Sequence, residues 1–227
     1  MTDTLVKMGN LIDQARKVYE DGRFEGTGMA RCSIFGNVLK EHKLMLLGIN
    51  PAGKPEKYTA NVEKELELFK SDYNELTEQG KLNLWLRKFY DYAFGEKSEI
   101  YVRQTFYWNL CLFKCENLKK VYDSEMDRAM ENCFPLFETV LQEVRPKVVL
   151  TFVKPFNFIE KRLNLSCANP TILAPRYYYY RYNNVLIGNY KLPKLVGMWH
   201  LSRSPIFVHT LPKFAKEFRN DCETAGV

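Results

Sequence analysis

Three short polar motifs in this chain contain residue types that could act on a small ligand. They lie at residues 48–53 (Gly-Ile-Asn-Pro-Ala-Gly), 107–112 (Tyr-Trp-Asn-Leu-Cys-Leu) and 199–205 (Trp-His-Leu-Ser-Arg-Ser-Pro). Each motif holds a carboxamide or an imidazole. Such groups can orient a water molecule or donate a hydrogen bond to a developing negative charge. The three motifs together are therefore typical of a polar binding or catalytic site.

The first motif follows an apolar run at residues 44–47 and predicts a buried strand that ends at a turn containing Asn50. Open α/β sheets bind ligands just outside the carboxyl ends of such strands, which makes Asn50 a candidate site residue. Each motif alone also fits a structural role, as a turn, a core amide or a histidine before a turn. The order and spacing of all three favour a site.

The elements that would position these motifs follow from the apolar spacing. Helical spacing predicts helices at residues 5–20, 123–144 and 211–222, and apolar runs predict strands at 44–49, 105–112, 148–153 and 195–199. A β-hairpin is predicted over residues 177–188, turning at Asn183 and Asn184. This alternation predicts a three-layer α/β/α fold with a central, mainly parallel four-stranded sheet plus the added hairpin. We expect residues 1–227 to form one domain.

The composition is that of a globular protein, with 46% hydrophobic residues and a mean hydropathy of −0.35. No stretch approaches the roughly 20 apolar residues that a membrane helix needs. The N-terminus lacks an apolar signal core. We therefore expect an intracellular protein, cytoplasmic if bacterial, that has no membrane partner and is a monomer.

The six cysteines are scattered and form no Cys-x-x-Cys pair, and the histidines do not fall at zinc spacing. We expect reduced thiols, several of them in the core, and neither a metal nor a cofactor. The charge is uneven, because residues 154–219 hold eleven Lys or Arg and two acids, a net +9. Aromatic residues share this region, notably at 177–182. A basic surface beside aromatic residues is typical of a protein that binds nucleic acid, a polyanion with flat bases. The alternative interpretation is a basic face that contacts only solvent.

Taken in order, the motifs resemble those of the uracil-DNA glycosylase superfamily. Residues 48–51 (Gly-Ile-Asn-Pro) resemble the first motif of its mismatch-specific and single-strand-selective branches, and residues 200–202 (His-Leu-Ser) resemble the last motif, His-Pro-Ser-Pro. Residues 107–115 are similar to the Thr-Asn-x-x-Lys-Cys segment of the bacterial and archaeal branches. Residues 134–149 resemble the helix and strand that follow. The resemblance covers roughly residues 40–220, with long gaps.

The chain also departs from the superfamily pattern at several positions. Ala52 is inserted before Gly53, while Leu201 and Arg203 replace the two prolines of the last motif. Residues 151–154 replace the usual Leu-Gly after the third strand. Only Cys32 is available for the N-terminal cysteine pair of the iron–sulphur branch, so no cluster is expected.

The resemblance implies a monofunctional DNA glycosylase of base excision repair. It would hydrolyse the N-glycosidic bond of uracil or a related deaminated base in uracil-containing or mismatched DNA and leave an abasic site. By resemblance, Asn50 would hold the attacking water, and His200 would donate a hydrogen bond to uracil O2. Asn109 would pair with the uracil edge, beside Gly48 and Ile49 of the first motif. A carboxamide is a weak base, so we expect slower catalysis than in the Asp-bearing branch.

A base inside the duplex must be flipped out to reach such a pocket, and an aromatic ring should stack on it. Tyr58 is the candidate and Phe69 the alternative, and core packing would also explain either. The DNA contacts are assigned to the last motif. Arg203 or Leu201 would fill the gap that the flipped base leaves in the DNA helix. The hydroxyls of Ser202 and Ser204 would contact phosphate.

Two other functions remain open. One is a DNA-binding protein on the same fold with weak or lost catalysis, suggested by Leu201 and Arg203. The other is an unrelated α/β enzyme that binds a small nucleotide at the 48–53 turn, although the chain has no Gly-rich phosphate fingerprint there.

Overall fold

A computed structural model of the protein describes residues 3–24, 29–30, 39–49, 81–115, 123–165, 170–174, 177–198 and 207–227. Within these ranges the helices are α1 (Asp3–Asp21), α2 (Lys81–Phe94), α3 (Ser98–Gln104), α4 (Asp123–Val144), α5 (Val153–Arg162) and α6 (Phe207–Thr224). The strands are β1 (Met29–Ala30), β2 (Leu44–Gly48), β3 (Thr105–Asn109), β4 (Lys114–Cys115), β5 (Val148–Phe152), β6 (Thr171–Ala174), β7 (Tyr177–Ile187) and β8 (Tyr190–Met198).

The main sheet has six strands in the order β3-β2-β5-β8-β7-β6. The first four run parallel to one another, whereas β7 and β6 continue the sheet through antiparallel pairs. The α/β class expected from the sequence is confirmed. The expectation of a four-stranded sheet with an added hairpin is corrected to one mixed sheet of six strands, because the hairpin includes β8 itself. A short antiparallel pair, β1 with β4, lies apart from this sheet.

The predicted hairpin turn at Asn183 and Asn184 is wrong. Strand β7 runs through both residues, and the chain turns at Gly188, whose φ is +55°. Asn184 has the same positive φ but lies within the strand, opposite Pro193 in the register of β7 and β8. Proline has no N–H to donate to the ladder. Asn184, with its left-handed backbone conformation, therefore lies at a local gap in the pairing of β7 with β8. The two strands continue to pair beyond it.

Helices cover both faces of the sheet. Side chains alternate along β2, so that Leu47 packs with α1, α4 and α5, while Leu46 packs with α2, α3 and α6. Every residue of β2 is buried, as a parallel strand covered on both faces requires. None of the helices in the described part of the chain is both long enough and apolar enough to cross a bilayer.

Two helices next to β5 differ in how well the sequence predicted them. Helix α4 has the predicted bounds, 123–144, because its apolar residues recur at helical spacing along its whole length. Helix α5 had no predicted counterpart. It begins directly after β5 without a linker and has only ten residues. Pro155 lies in its first turn, where a missing N–H breaks no helical hydrogen bond.

Asp221 of α6 is a buried carboxylate that holds this helix against β7 and β8. The Tyr179 hydroxyl donates to one of its oxygens at 2.8 Å, and the Lys194 ammonium donates to the other at 3.1 Å. Arg181 lies 3.4 Å from the carboxylate and also pairs with Glu217. A buried charge is tolerated when it is paired and hydrogen-bonded in this way.

Candidate functional site

The four parallel strands end at one level on the same edge of the sheet. Gly48 at the end of β2 pairs with Asn109 at the end of β3. Phe152 at the end of β5 pairs with Met198 at the end of β8, and the pairing of β2 with β5 keeps the two pairs in the same register. Gly48 of the first polar motif therefore lies beside Asn109 of the second. The third begins in the chain directly after Met198.

The side chain of Asn109 is held by Tyr107, two residues earlier on the same strand. The Tyr107 hydroxyl donates to Oδ1 of Asn109 at 3.1 Å, and both side chains are buried. Tyr107 packs with the core under α2, α3 and α6, so the carboxamide lies on that face of the sheet. A carboxamide oxygen can accept a second hydrogen bond, and its NH2 group has two protons to donate. Asn109 therefore offers an acceptor beside a donor.

Gly48 leaves the space that the Asn109 carboxamide occupies. A Cβ on residue 48 would lie 2.3 Å from Oδ1 of Asn109 and 2.9 Å from the Tyr107 hydroxyl. Both distances are too short for real Cβ contacts, so any other residue would displace the carboxamide or shift the strand. The glycine of the first motif and the asparagine of the second motif therefore form one structural unit.

Backbone hydrogen bonds continue the pairing of these two segments beyond the strands. The N–H of Leu110 donates to the carbonyl of Gly48 at 3.0 Å, and the N–H of Cys111 donates to the carbonyl of Ile49 at 2.7 Å. Ile49 is half-buried and packs with the core on the α1, α4 and α5 side. The structure thus brings together three of the predicted base-binding residues, namely Gly48, Ile49 and Asn109.

The remaining predicted site residues lie outside the described part of the chain. They are Asn50, Tyr58, His200, Ser202, Arg203 and Ser204. Asn50 directly follows Ile49, and His200 lies two residues after Met198. Their roles stay predictions from the sequence, as does the choice of Tyr58 over Phe69.

A cavity of about 810 Å³ lies between α4 and α5, next to the sheet edge. Ile49, after the end of β2, and Phe152, at the end of β5, line it, so it lies where open α/β sheets bind ligands. It adjoins the side of the sheet covered by α4 and α5, whereas the Asn109 carboxamide lies on the other side. We call it the α4–α5 cavity. Its volume is within the ordinary range for small-molecule sites.

One wall of the α4–α5 cavity is a single face of α5. Lys154, Asn157, Phe158 and Lys161 line it at the i, i+3, i+4, i+7 spacing that places side chains on one side of a helix. Sequence reasoning missed these residues. The signal was present, because Lys154 comes two residues after the end of a buried strand and Lys161 follows at helical spacing.

Two arginines complete the cavity, each held by an ion pair. Arg128 on α4 pairs with Glu125 at 2.6 Å, and Arg162 at the end of α5 pairs with Glu131 on α4. Each guanidinium also lies 4.3 Å from the centre of a phenylalanine ring, which restricts its movement further. The contacts of Arg162 with Glu131 and Phe134 join α5 to α4, whereas Arg128 is held by Glu125 on its own helix and by Phe24. The two ion pairs partly compensate the arginine charges.

Three cysteines lie in the core as free thiols, namely Cys111, Cys133 and Cys222. Burial raises the pKa of the Cys133 thiol to about 12 and raises the pKa of the Cys222 thiol well above its ordinary value. Cys133 and Cys222 are therefore thiols rather than reactive thiolates at neutral pH. Within the described ranges, no group of three or more His, Cys, Asp or Glu side chains is arranged to hold a metal ion.

Comparison with known proteins does not assign the site. No protein-family model matches this chain, and a search of curated proteins also gives no match. The functional interpretation therefore depends on the motifs and on the geometry at the carboxyl edge of the sheet.

Proposed function

We propose that the protein is a DNA glycosylase that hydrolyses the N-glycosidic bond of uracil or a related deaminated base and leaves an abasic site. The observation that supports this most directly is the pairing of Gly48 with Asn109 at the carboxyl edge of the parallel strands. It joins two of the motifs that resemble the uracil-DNA glycosylase superfamily. The third motif follows β8, which ends at the same edge.

The chemistry assigned to the motifs meets the demands of glycosidic cleavage. The base leaves as an anion while the sugar passes through an oxocarbenium-like state. In the proposal, His200 donates a hydrogen bond to uracil O2 and so stabilises the departing anion. A neutral imidazole can do this. Asn50 orients the attacking water but abstracts its proton poorly, because a carboxamide is a weak base.

The Tyr107–Asn109 contact supports a role for Asn109 in choosing the base. In the proposal, Oδ1 accepts from N3–H of uracil while the NH2 group donates to O4. The Tyr107 hydroxyl, 3.1 Å from Oδ1, favours this orientation because it donates to the oxygen end of the carboxamide. Cytosine presents the opposite pattern, an acceptor at N3 and a donor at N4. We therefore expect uracil to be released in preference to cytosine.

A base-release assay tests the proposal across substrates. Labelled oligonucleotides containing uracil, hypoxanthine or mismatched thymine are incubated with the protein and then treated with alkali, which cleaves the strand at abasic sites. We expect cleavage after incubation with the uracil substrate and little strand cleavage before alkali, as for a monofunctional enzyme. Failure to release any of these bases, from single or double strands with enzyme in excess, would overturn the proposal.

A DNA-binding protein without catalysis is the second candidate. It is favoured by Leu201 and Arg203, which replace both prolines of the last motif. The net charge of +9 over residues 154–219 suits DNA in either case. Binding to DNA that weakens steeply with salt, together with no base release, would select this candidate.

A further inference from the structure

Strand β7 contributes an aromatic face near the outer edge of the main sheet. Side chains alternate along β7, so Tyr179 packs with the core under α6, whereas Tyr178 and Tyr180 lie on the opposite face, with ring centres 6.1 Å apart. Tyr180 packs with the core beside α5, while Tyr178 is partly exposed. The residue opposite Tyr178 on the edge strand β6 is Ile172, which is 68% exposed. The two side chains therefore form one partly exposed apolar surface.

This apolar surface lies along the carboxyl edge of the sheet, where the candidate site also lies. Tyr180 pairs with Gly197, one residue before the end of β8, so Tyr178 lies just past the level at which the parallel strands end. Strand β7 is three strands from β2, which is roughly 14 Å at the ordinary strand spacing of about 4.8 Å. Stacked nucleotides rise about 3.4 Å each along a DNA strand, so roughly four of them span that distance.

A lysine of α6 reaches the same edge strand. The Lys213 ammonium donates to the carbonyl of Leu173, the residue after Ile172, at 3.4 Å. Lys213 is exposed, and among the described residues no acidic side chain pairs with it. Glu217, one turn further along α6, pairs with Arg181 instead. The edge therefore combines a flat ring with a cation, and we call Ile172, Tyr178 and Lys213 the β6-edge surface.

Pairing of β6 with the edge strand of a second copy of the chain is disfavoured. The register of β6 and β7 shifts between Ile172 and Ala174, and such a bulge twists an edge strand away from a new partner. Lys213 also occupies a backbone carbonyl of β6, and a lysine at an edge opposes the addition of a strand. A ligand that contacts the side chains rather than the backbone of β6 is therefore favoured.

We propose that the β6-edge surface binds one nucleotide of a single-stranded DNA. The base stacks on the Tyr178 ring beside Ile172, and the phosphate binds the Lys213 ammonium. Aromatic side chains bind unpaired bases with little sequence preference, because every base has a flat face. The net charge of +9 over residues 154–219, which include this surface, suits the same polyanion. Binding here does not rest on base release, since a DNA-binding protein without catalysis would use the same surface.

Fluorescence anisotropy tests this proposal with two labelled probes that contain no uracil. One is dodecathymidylate, and the other is an abasic oligomer of the same length, which keeps the phosphates and lacks the bases. The variants are Tyr178→Ala, Ile172→Glu and Lys213→Gln, with Tyr178→Phe to keep the ring. The matched controls are Tyr92→Ala, at an exposed position on α2, and Lys17→Gln, at an exposed position on α1.

We expect dodecathymidylate to bind at least about 5-fold more weakly to Tyr178→Ala and to Ile172→Glu, as when one base stack is lost. Tyr178→Phe and both controls should bind it like wild type. Tyr178→Ala should leave affinity for the abasic oligomer unchanged, whereas Lys213→Gln should weaken the binding of both probes, because it acts on the phosphates. Ile172→Glu keeps the test decisive if Tyr178→Ala fails to fold, since Ile172 is exposed.

Equal affinity of wild type, Tyr178→Ala and Ile172→Glu for dodecathymidylate would overturn the proposal. An equal loss for both probes in Tyr178→Ala would also overturn it, because the ring would then support the fold rather than a base. Sedimentation of the same variants tests the other occupant. A dimer that dissociates in Ile172→Glu, with unchanged DNA affinity, would assign the surface to a second copy. Neither probe contains uracil, so failure of this proposal is distinguishable from failure of the glycosylase proposal.

Discussion

Gly48 lies opposite Asn109 in the parallel pairing of β2 and β3, and a Cβ on Gly48 would come within 2.3 Å of the Asn109 carboxamide oxygen. The position of the carboxamide thus depends on the absence of a side chain on the neighbouring strand. This relationship joins two motifs that are about sixty residues apart in the sequence. Under the proposed function, the recognition of a base would therefore depend on Gly48, a residue with no side chain to touch the base.

Gly48→Ala tests that dependence. We predict a loss of about 1–3 kcal/mol in the free energy of unfolding, because a buried Cβ would overlap the carboxamide. Uracil release should fall at least about 10-fold as Asn109 is displaced. Gly9→Ala in α1 is the matched control, since a Cβ there meets nothing within 4 Å and alanine favours the helix by about 0.5–1 kcal/mol. If urea unfolding and base release are the same for Gly48→Ala and wild type, the position of the Asn109 carboxamide does not depend on Gly48.

Tyr107→Phe removes the hydroxyl that orients Asn109 while keeping the ring. We predict a stability change of about 1 kcal/mol or less, and a smaller preference for uracil over cytosine, because the carboxamide can then turn. The measurement is the ratio of release rates from matched uracil and cytosine oligonucleotides. Tyr92→Phe, whose side chain is exposed on α2, serves as the control. An unchanged ratio would show that the hydroxyl does not orient the carboxamide.

Asp221→Ala removes the carboxylate that holds α6 to β7 and β8. We predict a loss of about 3–5 kcal/mol in the free energy of unfolding, because the Lys194 ammonium loses the partner that compensates its burial. Glu223→Ala removes an exposed ion pair with Arg219 and should change stability by less than about 1 kcal/mol. Urea unfolding curves of both variants give the comparison, and shifts of equal size would contradict a stabilising role for the buried carboxylate.

Alkaline pH should destabilise the protein through its buried thiols. The Cys133 thiol ionises near its ordinary pKa of 9.0 in the unfolded chain, but burial raises the pKa to about 12 in the folded state. The stability it contributes is complete below pH 9 and is lost as the pH rises from about 9 towards 12, because the unfolded state releases its proton first. The slope reaches about 1.4 kcal/mol per pH unit for this thiol.

Cys133→Ala isolates that contribution. The substitution also removes buried packing at every pH, so the informative quantity is the change in the free energy of unfolding between pH 8 and pH 10. We predict a smaller decrease for Cys133→Ala than for wild type, with Cys222 present in both. Equal decreases would mean that other groups account for the alkaline loss.

The sequence was sufficient to predict the elements whose apolar pattern is long or continuous. Helix α4 shows helical spacing over its full length. β2 is an unbroken apolar run up to Gly48, and β5 is apolar except for Thr151, as strands buried on both faces require. The apolar run at 44–49 placed Gly48 near a strand end, whereas the predicted strand 105–112 continued three residues past Asn109, where β3 ends. Their direct pairing could not be predicted in detail, because it depends on which strands are neighbours and in what register.

The features that the sequence did not predict depend on partners distant in the chain. Asn183 and Asn184 are typical of a turn, but Pro193 on the opposite strand places a pairing gap there instead. The α4–α5 cavity was missed because Arg128 and Lys154 come together only when α5 packs beside α4. A ten-residue helix starting directly from a strand also gives too short a pattern to separate it from a loop.

The most direct test of the proposed function is the rate of uracil release from a labelled oligonucleotide with enzyme in excess. We predict release by the wild-type protein, and rates at least about 10-fold lower for Asn50→Ala, Asn109→Ala and His200→Ala. Asn220→Ala, at an exposed position on α6, should match wild type. The absence of uracil release by the wild-type protein from both single- and double-stranded DNA, or equal rates for wild type and all four variants, would contradict the assignment of this sheet edge to base excision.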